Sequence, residues 1–348
     1  MTRNKLYLAA ALLLLALGIL LRPSSPRSGV AAASAEGSRA ISRDAKSTPA
    51  PAASRRKREF RSLAKLYTGD QFPKLTPQEI QTYLQAQNRN VDALLAVFRM
   101  TQDKAFLTEA LEKFPNHPHV LFCLLQVCED PAKRLELLDS FKRADPENGI
   151  GNFLAARTLI DLGRDEEAVA ELLKSSGKPI KDFTEQSSQN FTEAYLSAGF
   201  SPLEARVAGH AGSMTSWLML MGDPVWKKLE ETRLDYESSG NVAGVQSLRD
   251  IQFEMGRTLQ QDGSLLDSMI GLVYEKKAWK GIDSPESAAF FQEVDQRTKT
   301  LREYTQKFTT LVESPAVPEA DWLLYFDRVK LFGEKAAVDW LLEKHPQP

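Results

Sequence analysis

The chain has 348 residues, and its 43% apolar and 26% charged content is typical of a soluble globular protein with one or two domains. The formal charge of −2 is unevenly distributed: residues 1–60 contain eleven basic and three acidic side chains, a net +8, which leaves −10 for residues 61–348. A mildly acidic body argues against nucleic acid as its ligand, because phosphate binding requires clustered lysine and arginine side chains.

An uninterrupted apolar run of sixteen residues, Leu6–Leu21, lies near the start of the chain. Arg3 and Lys5 precede the run and Arg22 follows it, an order typical of a bacterial-type export signal. We therefore interpret residues 1–22 as a signal anchor or signal peptide, with the membrane contacted through residues 6–21. No cysteine follows the run closely, which argues against a lipoprotein.

The fate of this segment has two interpretations. The sequence Ala33–Ala35 fits the small-x-small pattern of a cleavage site, and cleavage near Ala35 would produce a secreted protein. That site lies fourteen residues beyond Leu21, further than a signal peptidase normally tolerates, which favours a retained anchor. In both interpretations we expect the body to lie outside the cytoplasm, on the periplasmic side of a bacterial envelope.

Residues 23–59 are rich in serine, alanine, proline and basic residues, and Val30 and Ile41 are their only large aliphatic side chains. Such a segment buries too little surface to offset the entropy of ordering it, so we predict a disordered linker. The basic run Arg55–Arg58 ends it and has two interpretations: a solvated linker end, or attraction to lipid head groups.

Residues 60–180 are predicted to form helical hairpins, because helix-start signals recur along them. Thr76, Pro77 and Glu79 combine an N-cap, a proline at the first helical position and a capping-box acid. Similar signals at Asp103 and Asp130 begin further helices with apolar residues at helical spacing. The spacing predicts about three successive hairpins between residues 92 and 176.

The most complete hairpin is predicted over residues 146–175. Pro146 suits a helix start, Gly163 suits the left-handed turn at a helix end, and Asp165–Glu167 suits the first turn of the second helix. Ala168 is small enough for two helices to cross closely. Five positions match the pattern of a tetratricopeptide repeat: Pro146, Ala156, Leu159, Gly163 and Ala168.

The unit therefore resembles a tetratricopeptide repeat, although Asn152 stands where that family usually has a large aromatic side chain. The resemblance implies a helical scaffold that binds a protein or peptide, and it assigns the five matching positions to packing between helices. It covers about 30 residues closely and about 85 loosely. We place the chain in the all-α class, as a helical-hairpin array.

Residues 181–348 are predicted to continue the array as a bundle of longer helices. Small residues at helical spacing, from Ala205 to Ser216, predict a close approach by a neighbouring helix. Ser284–Glu313 is the longest helical pattern, and Val294, Leu301 and Phe308 form a heptad seam within it. An aromatic and aliphatic stripe follows, and we predict that it faces the core: Trp322, Phe326, Val329, Phe332, Ala336 and Trp340.

The sequence contains none of the motifs for nucleophilic, zinc-protease, P-loop or dinucleotide chemistry. His117 and His119 are expected to be solvated in a turn, and Gly209–Ser213 is expected to pack helices rather than cradle a phosphate. Cys123 and Cys128 lie five apart in a predicted helix and point away from each other, so buried packing is expected. We predict no catalytic, metal or cofactor residues.

The sequence thus predicts an envelope-tethered, non-catalytic scaffold that binds a protein or peptide partner. Two alternatives stay open: an envelope enzyme with dispersed catalytic carboxylates acting on cell-wall polymers, and a structural spacer. We expect the soluble body to be monomeric, because Arg297 lies on the heptad seam and a symmetric dimer would bring two guanidinium groups together.

Overall fold

The computed structural model describes residues 60–67, 72–213, 217–262 and 264–346. The predicted anchor and linker, residues 1–59, lie outside this range. All regular secondary structure in the described residues is α-helical, as the sequence predicts. None of the helices in these ranges is both long enough and apolar enough to cross a membrane.

Eight helices occupy the first half: α1 (Leu63–Tyr67), α2 (Pro77–Ala86), α3 (Val91–Thr101), α4 (Lys104–Lys113), α5 (Pro118–Val127), α6 (Pro131–Ala144), α7 (Ile150–Asp161) and α8 (Asp165–Ser175). Side-chain caps fix several of their starts where the sequence predicts them. Thr76 and Glu79 form a complete capping box, and Asp103 and Asp130 accept backbone N–H bonds from the first turns of α4 and α6.

Seven longer helices follow: α9 (Thr184–Ser197), α10 (Pro202–Ser213), α11 (Trp217–Ser238), α12 (Val242–Asp262), α13 (Leu265–Trp279), α14 (Pro285–Glu313) and α15 (Glu319–Lys344). Asp223-Pro224 has the pattern of a boundary between helices, but α11 continues through Pro224. Proline removes one backbone donor and usually bends or breaks a helix, but it does not end this one.

Helices α7 and α8 form the hairpin predicted from residues 146–175. Ala156, Leu159 and Ala168 are buried, and Gly163 has the left-handed φ of 70° expected at the turn. Pro146 does not begin the helix, which starts at Ile150.

The late start of α7 has a local cause in Asn148. Its side-chain oxygen accepts the N–H groups of Ile150 and Lys181, and its amide nitrogen donates to the Lys181 carbonyl. The turn before α7 is therefore tied to the segment that leaves α8. Leu162 and Leu173 fit the apolar patterns of α7 and α8, but both are exposed.

Replacing Ala168 with leucine should lower the free energy of unfolding by about 1–3 kcal/mol, the usual cost of overpacking. Ala168 is almost completely buried between α7 and its neighbours, so the added atoms have no free space. Thermal or urea denaturation measures the change, and Ala170→Leu, at an exposed position of α8, is the control. A parent-like stability of the Ala168→Leu protein would contradict close packing at this position.

In three helices of the first half, one stretch is buried on all sides. Residues 93–98 of α3, 119–123 of α5 and 150–156 of α7 are consecutive buried positions, and each stretch exceeds one helical turn. Their additional cover comes from later helices, because α9 packs on α2 and α3 while α11 packs on α7. The packing order is therefore not that of a simple stack of sequential hairpins.

Helices α9 and α10 cross closely at two glycines, as the small residues of α10 predict. A Cβ atom on Gly209 would lie 2.2 Å from Thr192 Oγ1, and one on Gly212 would lie 2.5 Å from the Phe191 ring. A similar crossing joins α12 and α13, where Cβ atoms on Gly256 and Gly271 would meet each other's glycine carbonyl oxygens at 2.6 and 2.4 Å.

Helix α14 packs its heptad seam inside the molecule. Val294 and Leu311 are buried, and Leu301, Tyr304 and Phe308 pack on the cluster that contains Trp322. The seam thus packs within the molecule on α13, α15 and α1.

Helix α15 is a hairpin of two helical halves that reverse at Gly333, where φ is 81° and ψ is 164°. Asp321 near its start contacts Lys344 and His345 at its end, with N···O distances of 2.7 and 2.8 Å. A straight helix would separate these residues by about 35 Å. The predicted continuous core-facing stripe is therefore wrong at Phe332, which is exposed at the reversal.

Candidate functional site

One histidine, His119, does not lie where the sequence predicts. His119, expected to be solvated, is buried and stacks on Phe183 with ring centroids 4.6 Å apart. His210 is also enclosed, with its Nδ1 atom 3.0 Å from the Tyr67 hydroxyl. Burial lowers the pKa of His119 to about 3 and that of His210 to about 4, so both are neutral at pH 7.

His119 has a hydroxyl neighbour of the kind found in nucleophile–base pairs. Its Nε2 atom lies 3.4 Å from Ser187 Oγ, and Arg99 donates to the same hydroxyl and to the Ser213 carbonyl. His119 Nδ1 has no hydrogen-bond partner among the described residues, so no carboxylate orients the ring. Ser187 and His119 are both closed to solvent. We interpret these contacts as a tie between α3, α5, α9 and α10.

A second cluster of polar side chains, partly buried, connects α1, α10, α13 and α15. Tyr67 contacts His210, whose ring lies 5.7 Å from that of Phe326. The neighbouring Tyr325 hydroxyl donates to Glu334 Oε1 at 3.3 Å, and the Leu265 N–H donates to Glu334 Oε2 at 2.7 Å.

Glu334 is the most unusual acid of this cluster. Burial raises its pKa above 4.5, although the two hydrogen bonds that it accepts oppose the shift. Burial and the Glu334 charge also raise the pKa of Tyr67 and of Tyr325 well above 10. These groups surround a reversal of the chain at Gly333, so Glu334 holds the start of α13 against the second half of α15.

The other buried ionic groups also connect helices. Asn152 donates to Glu171 at 2.9 Å, and Lys142 approaches the same carboxylate at 3.2 Å, which joins α6, α7 and α8. This polar contact occupies the position where a tetratricopeptide repeat has an aromatic side chain. Arg249 donates to the Ala278 carbonyl and to Glu237, joining α11, α12 and α13.

Cysteines and acidic groups add no metal site in the described ranges, where no three His, Cys, Asp or Glu side chains are grouped closely enough to hold an ion. Cys123 is buried, which raises its pKa to about 12, and Cys128 is half-buried. Both thiols are free.

The exposed counterpart of these buried clusters is the tip of the α15 hairpin. Leu331 is 70% exposed and Phe332 is 60% exposed. Leu324, which lies earlier on the same helix, is also exposed. Lys330 and Lys335 flank the two apolar side chains.

No protein-family model matches this chain, and no curated protein or solved structure is significantly similar to it.

The sequence pattern indicates neither the half-buried position of Glu334 nor the exposed apolar tip. The only local signal is Gly333 inside an otherwise helical pattern, in the order Lys330-Leu331-Phe332-Gly333-Glu334. A glycine at that point can end one helix and begin the reversal that buries Glu334 and exposes Phe332. Tyr67 and His210 lie 143 residues apart, and no spacing rule brings them together.

Replacing Glu334 with glutamine should increase stability relative to the parent as pH rises above 4.5. The raised pKa of Glu334 means that the folded state holds the proton more tightly, so this contribution is complete at low pH and is lost as pH rises through the folded-state pKa. Glutamine keeps an oxygen for the Leu265 N–H and carries no charge. Urea denaturation between pH 4 and 8 measures the difference.

The matched control for this series is Glu343→Gln, at an exposed position of the same helix. We expect no pH-dependent difference from the parent for this variant. A Glu334→Gln protein whose stability follows the parent curve at every pH would contradict a buried carboxyl at Glu334.

Proposed function

We propose that this chain is a non-catalytic helical scaffold, tethered to a membrane by residues 6–21, that binds a protein or peptide partner with its body outside the cytoplasm. The observation that carries the proposal is the way in which the first hairpins hold α9. They contact α9 on faces that α10, its partner in the hairpin, does not cover. Binding of a helix in a groove is a common mode of peptide recognition.

The contacts to α9 combine apolar burial with a few directed polar bonds. Ala194 of α9 is buried in the cluster formed by α2, α3 and α4. Tyr83 donates its hydroxyl to the Asn190 carbonyl at 3.3 Å, and Gln186 donates to Asp92 at 2.6 Å. A surface that holds one helix in this way has the chemistry to hold another. This supports a helical segment as the partner.

The roles of the buried ionic groups support a non-catalytic function. The carboxylates of Glu171, Glu275 and Asp321 each have basic partners on a neighbouring helix or helical half. Catalytic groups instead converge on a cleft that substrate can enter. The Ser187–His119 contact is closed to solvent and serves the packing of α9.

The membrane tether is supported by the sequence at the N-terminus. The apolar run is followed by a long polar linker and a basic segment, whereas the body is acidic. Intramolecular use of the α14 seam supports a monomeric body. We retain secretion after cleavage near Ala35 as the alternative to the tether.

Photo-crosslinking in intact cells tests partner binding. A crosslinking amino acid would replace exposed apolar residues of the array, Leu173 and Leu234, and exposed Arg302 on α14 would serve as the control position. We expect a discrete adduct at one or both apolar positions and none at the control. Folded, correctly located protein that forms no discrete adduct at either position would contradict partner binding at these exposed apolar residues.

Fractionation tests the tether separately. The full chain should remain with membranes after a salt wash, and deletion of residues 6–21 should release it. A mature protein whose first residue is Glu36 would contradict the anchor and support secretion.

A further inference from the structure

The reversal of α15 presents two apolar side chains at a turn rather than in a groove. Leu331 and Phe332 end the first helical half, and Gly333 directs the chain back. Their exposed fractions of 70% and 60% are among the largest of the large apolar residues in the described ranges. Because the pair stands at a turn, it does not form a groove into which a folded partner could insert a side chain.

The ring of Phe332 is held in place by its own hairpin. The Arg328 guanidinium lies 5.3 Å from the Phe332 ring centroid and 5.3 Å from that of Trp340, on the opposite half of α15. Cation–π contacts of this kind fix the orientation of an exposed ring. The tip is therefore preorganised, and little ordering remains when it enters an apolar phase.

The charges around the tip are mainly basic. Lys330 and Lys335 flank it, Arg328 lies behind it, and the Glu334 carboxylate points inward to the Leu265 N–H. Asp339 pairs with Lys335 at 2.7 Å and Asp327 pairs with Arg206 at 2.7 Å, so these two ion pairs carry no net charge. Lys330 and Arg328 therefore supply most of the positive charge at the tip. Lysine around leucine and phenylalanine is typical of helices that lie at a lipid interface.

The N-terminal end of the described body lies close to this hairpin. Leu63 and Leu66 of α1 belong to the same apolar cluster as Trp322 and Val338 of α15. Tyr67 contacts His210, whose ring lies beside that of Phe326. The charge of Glu334 contributes to the raised pKa of Tyr67. The linker that leads back to residues 6–21 is thus joined to α1, which packs on the helix that carries the tip. The basic run Arg55–Arg58 lies at the end of this linker, just before α1.

We propose that the α15 turn inserts Leu331 and Phe332 into the surface of an anionic lipid bilayer, with Lys330 at the head groups. The inference rests on the proposed tether, because the bilayer concerned is the one that holds residues 6–21. A linker of 37 residues has a root-mean-square length of about 35 Å if it is flexible, so the tip can reach that surface.

A lipid surface fits this tip better than a protein partner does. Lysine is depleted in the centres of protein interfaces, whereas it attracts anionic head groups at about 1 kcal/mol per side chain. The two apolar residues also stand on a convex turn, which penetrates a fluid surface without requiring a complementary pocket.

The test uses the full chain reconstituted into phosphatidylcholine vesicles with or without phosphatidylglycerol. An environment-sensitive fluorophore is attached to Leu331→Cys in a Cys128→Ser background, in which the remaining thiol, Cys123, is buried. Lipids with a quencher on the acyl chain report contact with the bilayer. Val242→Cys is the matched control, because Val242 is 78% exposed at the start of α12.

We expect a blue shift and strong quenching of the label at position 331 in the anionic vesicles, and neither at position 242. Lys330→Gln should weaken the bilayer contact about fivefold, and Lys335→Gln should weaken it less, because Lys335 is paired with Asp339. Circular dichroism of each labelled protein confirms that the helices are retained.

The remaining outcomes overturn the inference in distinguishable ways. A vesicle-bound chain with no quenching at position 331 leaves the tether intact and rules out the tip contact. Equal quenching at positions 331 and 242 shows unspecific adsorption of the body. A chain that does not bind vesicles at all contradicts both the tether and the tip. A label at position 331 that shifts only when a protein is added assigns the tip to a protein interface.

Discussion

Replacing Arg297 with methionine should lower the free energy of unfolding by about 2–4 kcal/mol, somewhat less than the loss of one partner from a fully buried pair because solvent screens part of the charge. Arg297 Nη1 lies 2.9 Å from Glu275 Oε2, and the same guanidinium donates to Gln260. Glu275 is buried on α13, whereas the Arg297 side chain on α14 is 39% exposed. Methionine fills similar space and leaves the buried carboxylate without its cation.

The double variant Arg297→Met/Glu275→Gln separates charge from packing. It should recover most of the lost stability, because glutamine has no charge to compensate and Gln260 can still hydrogen-bond to it. Arg302→Met, at an exposed position of α14, should leave stability nearly unchanged. Urea denaturation of the four proteins measures these differences. An Arg297→Met protein as stable as the parent would show that the ion pair does not hold α14 against α13.

Replacing Gly271 with alanine should destabilise the protein by about 1–3 kcal/mol, although alanine is the better helix former. The new methyl group would lie 2.4 Å from the Gly256 carbonyl oxygen and 2.9 Å from the Gln260 side chain. The backbone oxygen cannot rotate away, so α12 and α13 must separate. That separation also disturbs the Gln260–Glu275 hydrogen bond of 3.1 Å.

Ser268→Ala is the control for this prediction, because it places alanine one turn earlier on α13 at a half-buried position. It should have a much smaller effect than Gly271→Ala. Thermal denaturation followed by circular dichroism measures both. A stabilised Gly271→Ala protein would mean that helix propensity outweighs the steric conflict, and that the two helices are further apart than the structure places them.

The sequence predicts the helices well because their signals are local. Helix boundaries are marked by residues that lie within four positions of each other. Examples are Thr76 with Glu79, Ser284 with Pro285, and Gly163 at the end of α7. The small residues of α10 also predict a close crossing. These local signals do not identify which distant helix packs on a given helix. Nothing in the pattern of α3, for example, indicates that α9 covers it.

The surroundings of individual side chains depend on those distant neighbours. His119 follows a proline at a helix start and so resembles a solvated turn residue, but Phe183 and Ser187 enclose it. Phe332 fits a core-facing stripe only if α15 is continuous. The left-handed backbone of Gly333 reverses the chain, and every later position changes its partner.

The cover that α9 and α11 give to earlier hairpins has a consequence for how the body unfolds. A linear array of repeats can lose its hairpins one after another, since each contacts only its neighbours. Here α9 packs on α2 and α3, and α11 packs on α7, so opening an early hairpin also exposes apolar surface on helices much later in the chain. Partial unfolding from one end is therefore costly, and the amide hydrogens of α7, with nine of its twelve residues buried, should exchange only when most of the body opens.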